Sequence, residues 1–246
     1  MGWVTLVESV AGTSHHRTNT PCQDASQCRQ FGGTDGWLAA IVADGAGSAS
    51  RAEVGAALTC AVFADRIEAT PDAFCNREGM IGLFTDVHQA LVEEADRLGV
   101  SPRELACTAL VAVIGPATAV FAQLGDGVMV VSDGSACRTV FWPEPAEYAN
   151  ATDFLTDEHF ADALQFVVID EPIPEVALLT DGLQRLALNF TTCEAHAPFF
   201  RPLFDRLRTA ADPAELAAPF RAFLDSPRVN ERTDDDKTLF LAVRRP

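Results

Sequence analysis

Positive charge is scarce in this chain. Against 35 acidic residues stand 18 basic ones, all arginine except Lys237, and the formal net charge is −17 with a pI near 4.5. A field of that sign repels nucleic acid and anionic membrane, which excludes binding of either as a main function. It also repels phosphorylated substrates, unless bound cations reverse it locally. Any CxxC pair is missing too. Cys22, Cys28, Cys60, Cys75, Cys107, Cys137 and Cys193 are odd in number and scattered, several of them inside apolar runs. That usage predicts reduced thiols in a cytoplasmic protein, with neither a disulfide framework nor a zinc site.

Long uninterrupted apolar runs are also lacking. The most membrane-like stretch, "TALVAVIGPATAVFAQLG" at 108–125, is broken by Gly115-Pro116 and predicts two buried strands joined by a turn. The start, "MGWVTLVESVAG", has no basic region or apolar core of a signal peptide, and Leu6 breaks the myristoylation pattern. No repeat, low-complexity tract or linker divides the 246 residues, so one domain over 1–246 is expected.

What is present is a succession of β-patterned runs at 3–10, 25–31, 37–43, 107–114, 117–124, 128–132, 137–142, 175–180 and 238–243. Helical spacing marks 50–68, with Val54, Leu58, Ala61 and Val62 on one face, and 78–98, with Met80, Leu83, Phe84, Val87, Leu91 and Ala95. Two further helices are expected at 198–210 and 213–225, Pro213 suiting a first turn. Helices grouped between blocks of hairpin strands predict an α+β fold of helices covering antiparallel sheets, not βαβ alternation. Residues 143–174, rich in proline and acids, read as an excursion beside the functional site.

The informative feature is where aspartates fall. "IVADG" ends on Asp44, "FAQLGDG" on Asp126 and "ALLTDG" on Asp181, while "NERTDDDKTLFLAV" puts Asp234, Asp235 and Asp236 just before a strand. Asp-Gly is ordinarily a hairpin turn, and Asp35 and Asp133, each between two β-patterned runs, fit that reading. Asp44 does not, because an alanine-rich helical pattern follows it. In a sandwich of antiparallel sheets such strand ends can converge on one edge, and isolated buried carboxylates would be costly. Clustered acids call for cations, and an all-oxygen ligand set selects Mg²⁺ or Mn²⁺ over zinc or copper.

With these motifs assembled, the sequence resembles the metal-dependent protein phosphatases of type 2C. "PCQDA", "VADGAG", "ACTALVAV", "LGDG", "LLTDGL" and "DDKTLFLAV" occur in the family's order, and the wording is similar to its compact bacterial branch. The resemblance implies a four-layer αββα sandwich with metals at one edge of two antiparallel sheets. It implies that Asp44 bridges two metals, that Gly45 offers its carbonyl, and that Asp181 and Asp235 bind the first ion. Asp24 would reach the metals directly or through water, Asp126 would join Asp181 at a third, weaker ion, and Asp236 stands where the family has Asn or Asp. Asp44, Asp181 and Asp235 are thus the expected catalytic set, with Mn²⁺ or Mg²⁺ as cofactor.

Two departures accompany the likeness. Asn19 occupies the position of the family's phosphate-binding arginine, leaving His15, His16 or Arg17 to substitute; His15 and Arg17 are the preferred candidates. Ala46 occupies the place of a histidine proposed as general acid in some animal members. The implied function is hydrolysis of phosphoserine or phosphothreonine in proteins by a metal-activated water, with a cognate serine/threonine kinase as partner. The alternatives are a catalytically weak phosphopeptide-binding module of the same fold and an enzyme acting on small phosphoesters.

Overall fold

The computed structural model describes residues 2–33, 36–143 and 152–245. Its strands, in chain order, are β1 (Gly2–Val10), β2 (Ala25–Phe31), β3 (Trp37–Ala43), β4 (Ala109–Ile114), β5 (Ala119–Leu124) and β6 (Val128–Ser132). There follow β7 (Cys137–Thr139), β8 (Gln165–Ile169), β9 (Glu175–Leu179), β10 (Leu188–Asn189), β11 (Glu194–Ala195) and β12 (Lys237–Arg245). The α-helices are α1 (Thr13–Thr18), α2 (Ala52–Ala69), α3 (Arg77–Leu98), α4 (Phe160–Ala163), α5 (Gln184–Ala187), α6 (Ala197–Thr209), α7 (Ala217–Leu224) and α8 (Pro227–Asn230).

Two five-stranded sheets, ordered β2-β3-β4-β5-β8 and β1-β12-β9-β6-β7, carry the molecule, and every pairing in them is antiparallel. The two-residue alternation of a strand sorts their side chains into layers. Ala39, Ile41 and Ala43 of β3 join Phe63, Phe84 and Val87 of the helices α2 and α3. The intervening Leu38, Ala40 and Val42 face the other way, packing with Phe121, Met129, Leu178 and Phe240 between the sheets. On the far side Val130, Ala177 and Leu241 pack with Phe200, Phe204 and Phe220 of α6 and α7. The order helices, sheet, sheet, helices is the αββα sandwich that the resemblance implies. Because β4 and β5 are buried on both faces, they read as continuous apolar runs and not as alternation.

Helix α3 buries the six residues expected of it, begins with the Asn76 side chain accepting the Gly79 N–H at 2.9 Å, and ends at Gly99 in the left-handed region. Helix α2 differs from expectation. Its buried face is Ala52, Gly55, Ala56, Thr59, Cys60, Phe63, Ala64 and Ile67, while Val54, Leu58 and Val62 lie half-buried at its flank. Small residues let this helix approach its neighbours more closely than a valine-leucine stripe would. The region 143–174 is also more than an excursion, since β8 is an edge strand of a main sheet and Leu155, Phe160 and Leu164 are core residues. Residues 144–151 of that region, and Asp35, lie outside the described residues. Asp133 is a turn residue: its Oδ1 accepts the Ser135 and Ala136 N–H groups at 2.7 and 2.8 Å, which holds its carboxyl down at about 2.

Gly55 gives the closeness of α2 a direct test. A Cβ there would lie 2.0 Å from the carbonyl oxygen of Leu105. In an ordinary helix Gly→Ala stabilises by about 1 kcal/mol. Here Gly55→Ala is expected to lower the urea midpoint instead; a raised midpoint would show that α2 is free to shift.

Candidate active site

Antiparallel register decides which loops meet. Ala43 at the end of β3 pairs with Ala25 at the start of β2, so Asp44 and Asp24 emerge side by side. Leu124 pairs with Ala109, placing the turn after β5 at that same end. In the other sheet Leu179 pairs with both Val128 and Leu239, bringing together the start of β6, the end of β9 and the start of β12. The turn from β5 to β6, which holds Asp126, crosses from one sheet to the other and locks the two ends at one edge. The outcome is a cleft of about 150 Å³ lined by Asp44, Gly45, Asp126, Asp181, Asp235 and Asp236, with His15 at its side. Buried Asp24 lies close enough for its charge to act on Asp44.

Each acid is held by its own local device. The Asp44 peptide extends the β3–β4 ladder: its N–H donates to Thr108 Oγ1 at 3.1 Å and its carbonyl accepts the Thr108 N–H at 2.8 Å. Gly45 follows where no side chain fits, a Cβ there falling 2.7 Å from the Gln23 carbonyl and 2.8 Å from Ala52 Cβ. Thr180 donates to Asp24 Oδ2 at 2.9 Å and itself accepts the Thr238 N–H, tying Asp24 to β9 and β12. Asp126 accepts from Thr152 at 3.0 Å, and its carbonyl is gripped by Gln184. Asp235 accepts the Asp236 N–H at 2.9 Å and stands exposed at the rim.

Gathering these groups alters their protonation. Burial, then the charges of Asp24, Asp181, Asp126 and Asp235, pushes the Asp44 carboxyl well above the usual range. Burial raises Asp24 to about 7, against a lowering hydrogen bond with Thr238. Burial, then Asp126 and Asp235, raises Asp181 to about 6, while a hydrogen bond with Asp44 pulls the other way.

Asp236 has a different task. Only 3% exposed, it accepts the Gly12 N–H at 2.7 Å and the Gln23 N–H at 2.6 Å, and its Oδ1 lies 2.9 Å from His15 Nδ1. One carboxylate therefore clamps both ends of the segment that carries α1. The approach to His15 is close, but its geometry is not that of a hydrogen bond. Arg17 is directed elsewhere, pairing at the surface with Asp234 at 3.0 Å, both side chains 68% exposed. The structure thus brings His15 into the cleft with the aspartates and leaves Arg17 outside it. Lys237, the sole lysine, is buried next to Asp236 and donates to Asn230 Oδ1 at 2.7 Å; burial pushes its ammonium pKa down. Sequence reasoning missed the supports Thr108, Thr152 and Thr180 and the clamping role of Asp236. Only the threonine beside an Asp-Gly, as in "LLTDG", hinted at them.

The donor set suits hard divalent cations. Asp24 Oδ1 and Asp181 Oδ1 are buried without a partner among the described residues, and an unpaired buried polar atom costs ~1–3 kcal/mol. No group of three or more His, Cys, Asp or Glu side chains among the described residues is arranged to hold an ion by itself. An open acidic rim of this kind fits ions that keep several of their own waters.

An acid-lined cleft at the joined edge of an αββα sandwich is the arrangement that the resemblance to the type 2C phosphatases implies. The sequence pattern of the protein phosphatase 2C family matches residues 11–223, and the chain belongs to that family. Serine/threonine-protein phosphatase 3 of Escherichia coli (strain K12) is 37% identical over 251 aligned positions, 99% of each chain. A serine/threonine phosphatase of Staphylococcus aureus superposes with a TM-score of 0.66 at 14% identity, covering 100% of this chain and 96% of its own. PppA of Pseudomonas aeruginosa gives 0.65 at 17% identity, covering 99% and 98%. At those identities the two structures speak for the fold alone.

The raised carboxyl values fix the sign of a pH effect. An aspartate ordinarily titrates at 3.8, so Asp181 and Asp24 bind protons in the folded state that the unfolded chain has already released. Their stabilisation is complete below 3.8 and lost as pH rises through about 6 and about 7. Protein stripped of metal should therefore melt at a lower temperature at pH 8 than at pH 5. Mn²⁺ should restore the loss at pH 8. A melting temperature that rises from pH 5 to 8 without metal would contradict the arrangement.

Proposed function

We propose that the enzyme is a metal-dependent serine/threonine protein phosphatase, with the whole chain, 1–246, working as one catalytic domain. The observation that carries this reading is the convergence of acids from both sheets on one cleft, with Asp181 Oδ1 left unpartnered in its lining and Asp24 Oδ1 unpartnered behind it. The pairing of the first strand with the last along nine residues supports a single domain. Seven free thiols favour a reducing compartment, the cytoplasm. Among the described residues no helix is long and apolar enough to cross a membrane.

Mn²⁺ or Mg²⁺ is the cofactor, as two core ions and a third, weaker one. Asp44 would bridge the core pair with the Gly45 carbonyl beside it, Asp181 and Asp235 would hold the first, and Asp24 would support them directly or through water. Asp126 would join Asp181 at the third. When bound, such ions offset phosphate charge and lower the pKa of a water from ~16 toward ~7. The protein's own groups set where that chemistry happens. The threonine supports fix the carboxylates before substrate arrives, so no reorganisation is needed during reaction. His15, oriented by Asp236, faces the cleft and offers a donor to a phosphate oxygen, while Arg17 is engaged by Asp234. Water adds across the P–O bond and releases the serine or threonine hydroxyl. Among the described residues no cysteine lines the cleft to form a phosphoenzyme. The substrate is a phosphorylated protein, with a cognate serine/threonine kinase as the opposing partner.

Two experiments test this reading. Turnover of a phosphothreonine peptide should require Mn²⁺ or Mg²⁺, disappear with chelator, and be poorly supported by Zn²⁺. Asp44→Asn should abolish it, whereas Asp133→Asn, in its hairpin, should leave the rate nearly unchanged. Full activity of the metal-free protein would refute the assignment. On the same peptide His15→Ala should raise KM or lower turnover by more than about fivefold, equivalent to ~1 kcal/mol. Arg17→Ala should change either by less than about twofold. The opposite ranking would move phosphate binding to Arg17.

A further inference from the structure

A second and larger cleft, of about 510 Å³, opens beside the acidic centre and shares Asp181 and Asp235 with it. Its wall comes from the turn and helix after β9 and from the loop between α8 and β12. Arg185 and Arg232 both line it, and both are exposed. Neither guanidinium has an ion-pair or hydrogen-bond partner among the described residues.

Several other arginines find carboxylates, Arg29 with Asp65 and Glu68, Arg66 with Asp86, Arg138 with Glu171, Arg208 with Glu175 and Arg221 with Glu8. Arg51, Arg206 and Arg228 stand unpaired among the described residues but line neither of these two clefts. The acids within this cleft form no direct ion pair with either arginine. Asp234 is engaged by Arg17, Asp181 and Asp235 belong to the acidic centre, and the Glu231 carboxylate forms no ion pair with either arginine. Two uncommitted guanidinium forks therefore flank the place where phosphate would be hydrolysed, and such forks match carboxylate or phosphate oxygens.

We propose that Arg185 and Arg232 form a specificity subsite for an anionic side chain flanking the phosphorylated residue of the substrate. The proposal rests on the phosphatase reading and deepens it, naming acidic phosphopeptides as the substrate class. The anion is a carboxylate or a second phosphate. A peptide bound with its phosphate at the shared aspartates extends into this cleft without leaving the surface. In a protein of net charge −17 the overall field repels an acidic substrate, so local cations must offset that repulsion for it to be accepted.

The test compares phosphothreonine peptides of one length whose neighbours are aspartates, alanines, lysines or a single phosphoserine, each assayed with Mn²⁺. The wild-type enzyme should prefer acidic over alanine flanks in kcat/KM by roughly fivefold, the yield of two exposed ion pairs. The double variant Arg185→Glu, Arg232→Glu should reverse that order while hydrolysing p-nitrophenyl phosphate, which has no flank, within about twofold of wild type. Both side chains are exposed and unpartnered, so its melting temperature should be unchanged. A larger fall with the phosphoserine peptide identifies phosphate as the preferred anion, and a larger fall with aspartates identifies carboxylate. Wild-type enzyme without a preference for either anion, or a double variant that keeps it, overturns the subsite. A wild-type protein that turns over neither peptide nor p-nitrophenyl phosphate overturns the phosphatase reading instead. Fluorescence anisotropy of a labelled aspartate-flanked peptide then decides the subsite by whether charge reversal abolishes binding.

Discussion

Mutual repulsion of aspartates is the force the rest of the molecule is arranged to withstand. Burial, and then the charges of neighbouring carboxylates, raises the affinity of Asp24, Asp44 and Asp181 for protons. Flexible loops carrying such groups would swing apart into water. Here they cannot, because each group stands within a residue or two of a strand whose hydrogen bonds continue across a five-stranded sheet. The strands in turn are held by apolar layers on both faces, so core burial holds the acidic edge together. Bound cations are the natural complement of that arrangement.

Supports of the site are consequently shared with the scaffold. Thr108 is both a rung beside Asp44 and the residue before β4, and Thr180 joins Asp24 to β9 and β12. Asp236 carries this furthest. Its two oxygens hold Gly12 and Gln23, residues 224 and 213 positions away in sequence, so the end of the chain fixes the segment that presents His15 and Asp24. A buried carboxylate with two backbone donors is costly to disturb, because removing it leaves both N–H groups unpaired. Orientation of the cleft wall thus depends on a residue beside the proposed ligands.

Charge is distributed on two scales. The chain as a whole is strongly acidic, which favours solubility and discourages polyanionic partners. Close to the cleft the balance is local: carboxylates suited to cations in the centre, uncommitted arginines along one flank, and a histidine on another side. The single lysine is withdrawn into the interior against Asn230. Exposed cationic recognition near the centre therefore rests on arginine, whose planar fork favours paired oxygens over a point charge.

Much of the architecture is legible in the sequence because it follows from periodicity. Runs such as "ALVAVI" and "AVFAQL" declare buried strands, and the Met80–Ala95 stripe declares α3. The aspartates at strand ends are legible as well, since a carboxylate closing a buried run is costly unless a cation or a donor meets it there. Helix α2 departs from its pattern because side-chain bulk is a poor guide to its inner face. Close approach selects alanine and glycine there instead. Strand β8 is hidden in a proline- and acid-rich stretch, and its half-buried residues at the sheet edge show no clean alternation. By itself, then, the sequence determined which residue types stand at the ends of which strands, because local patterning encodes secondary structure and its limits. Only the tertiary structure decided that His15 and not Arg17 faces the cleft, that Asp236 is a clamp, and that Arg185 and Arg232 share a wall. Those outcomes depend on contacts between segments far apart in the chain, and no local pattern carries them.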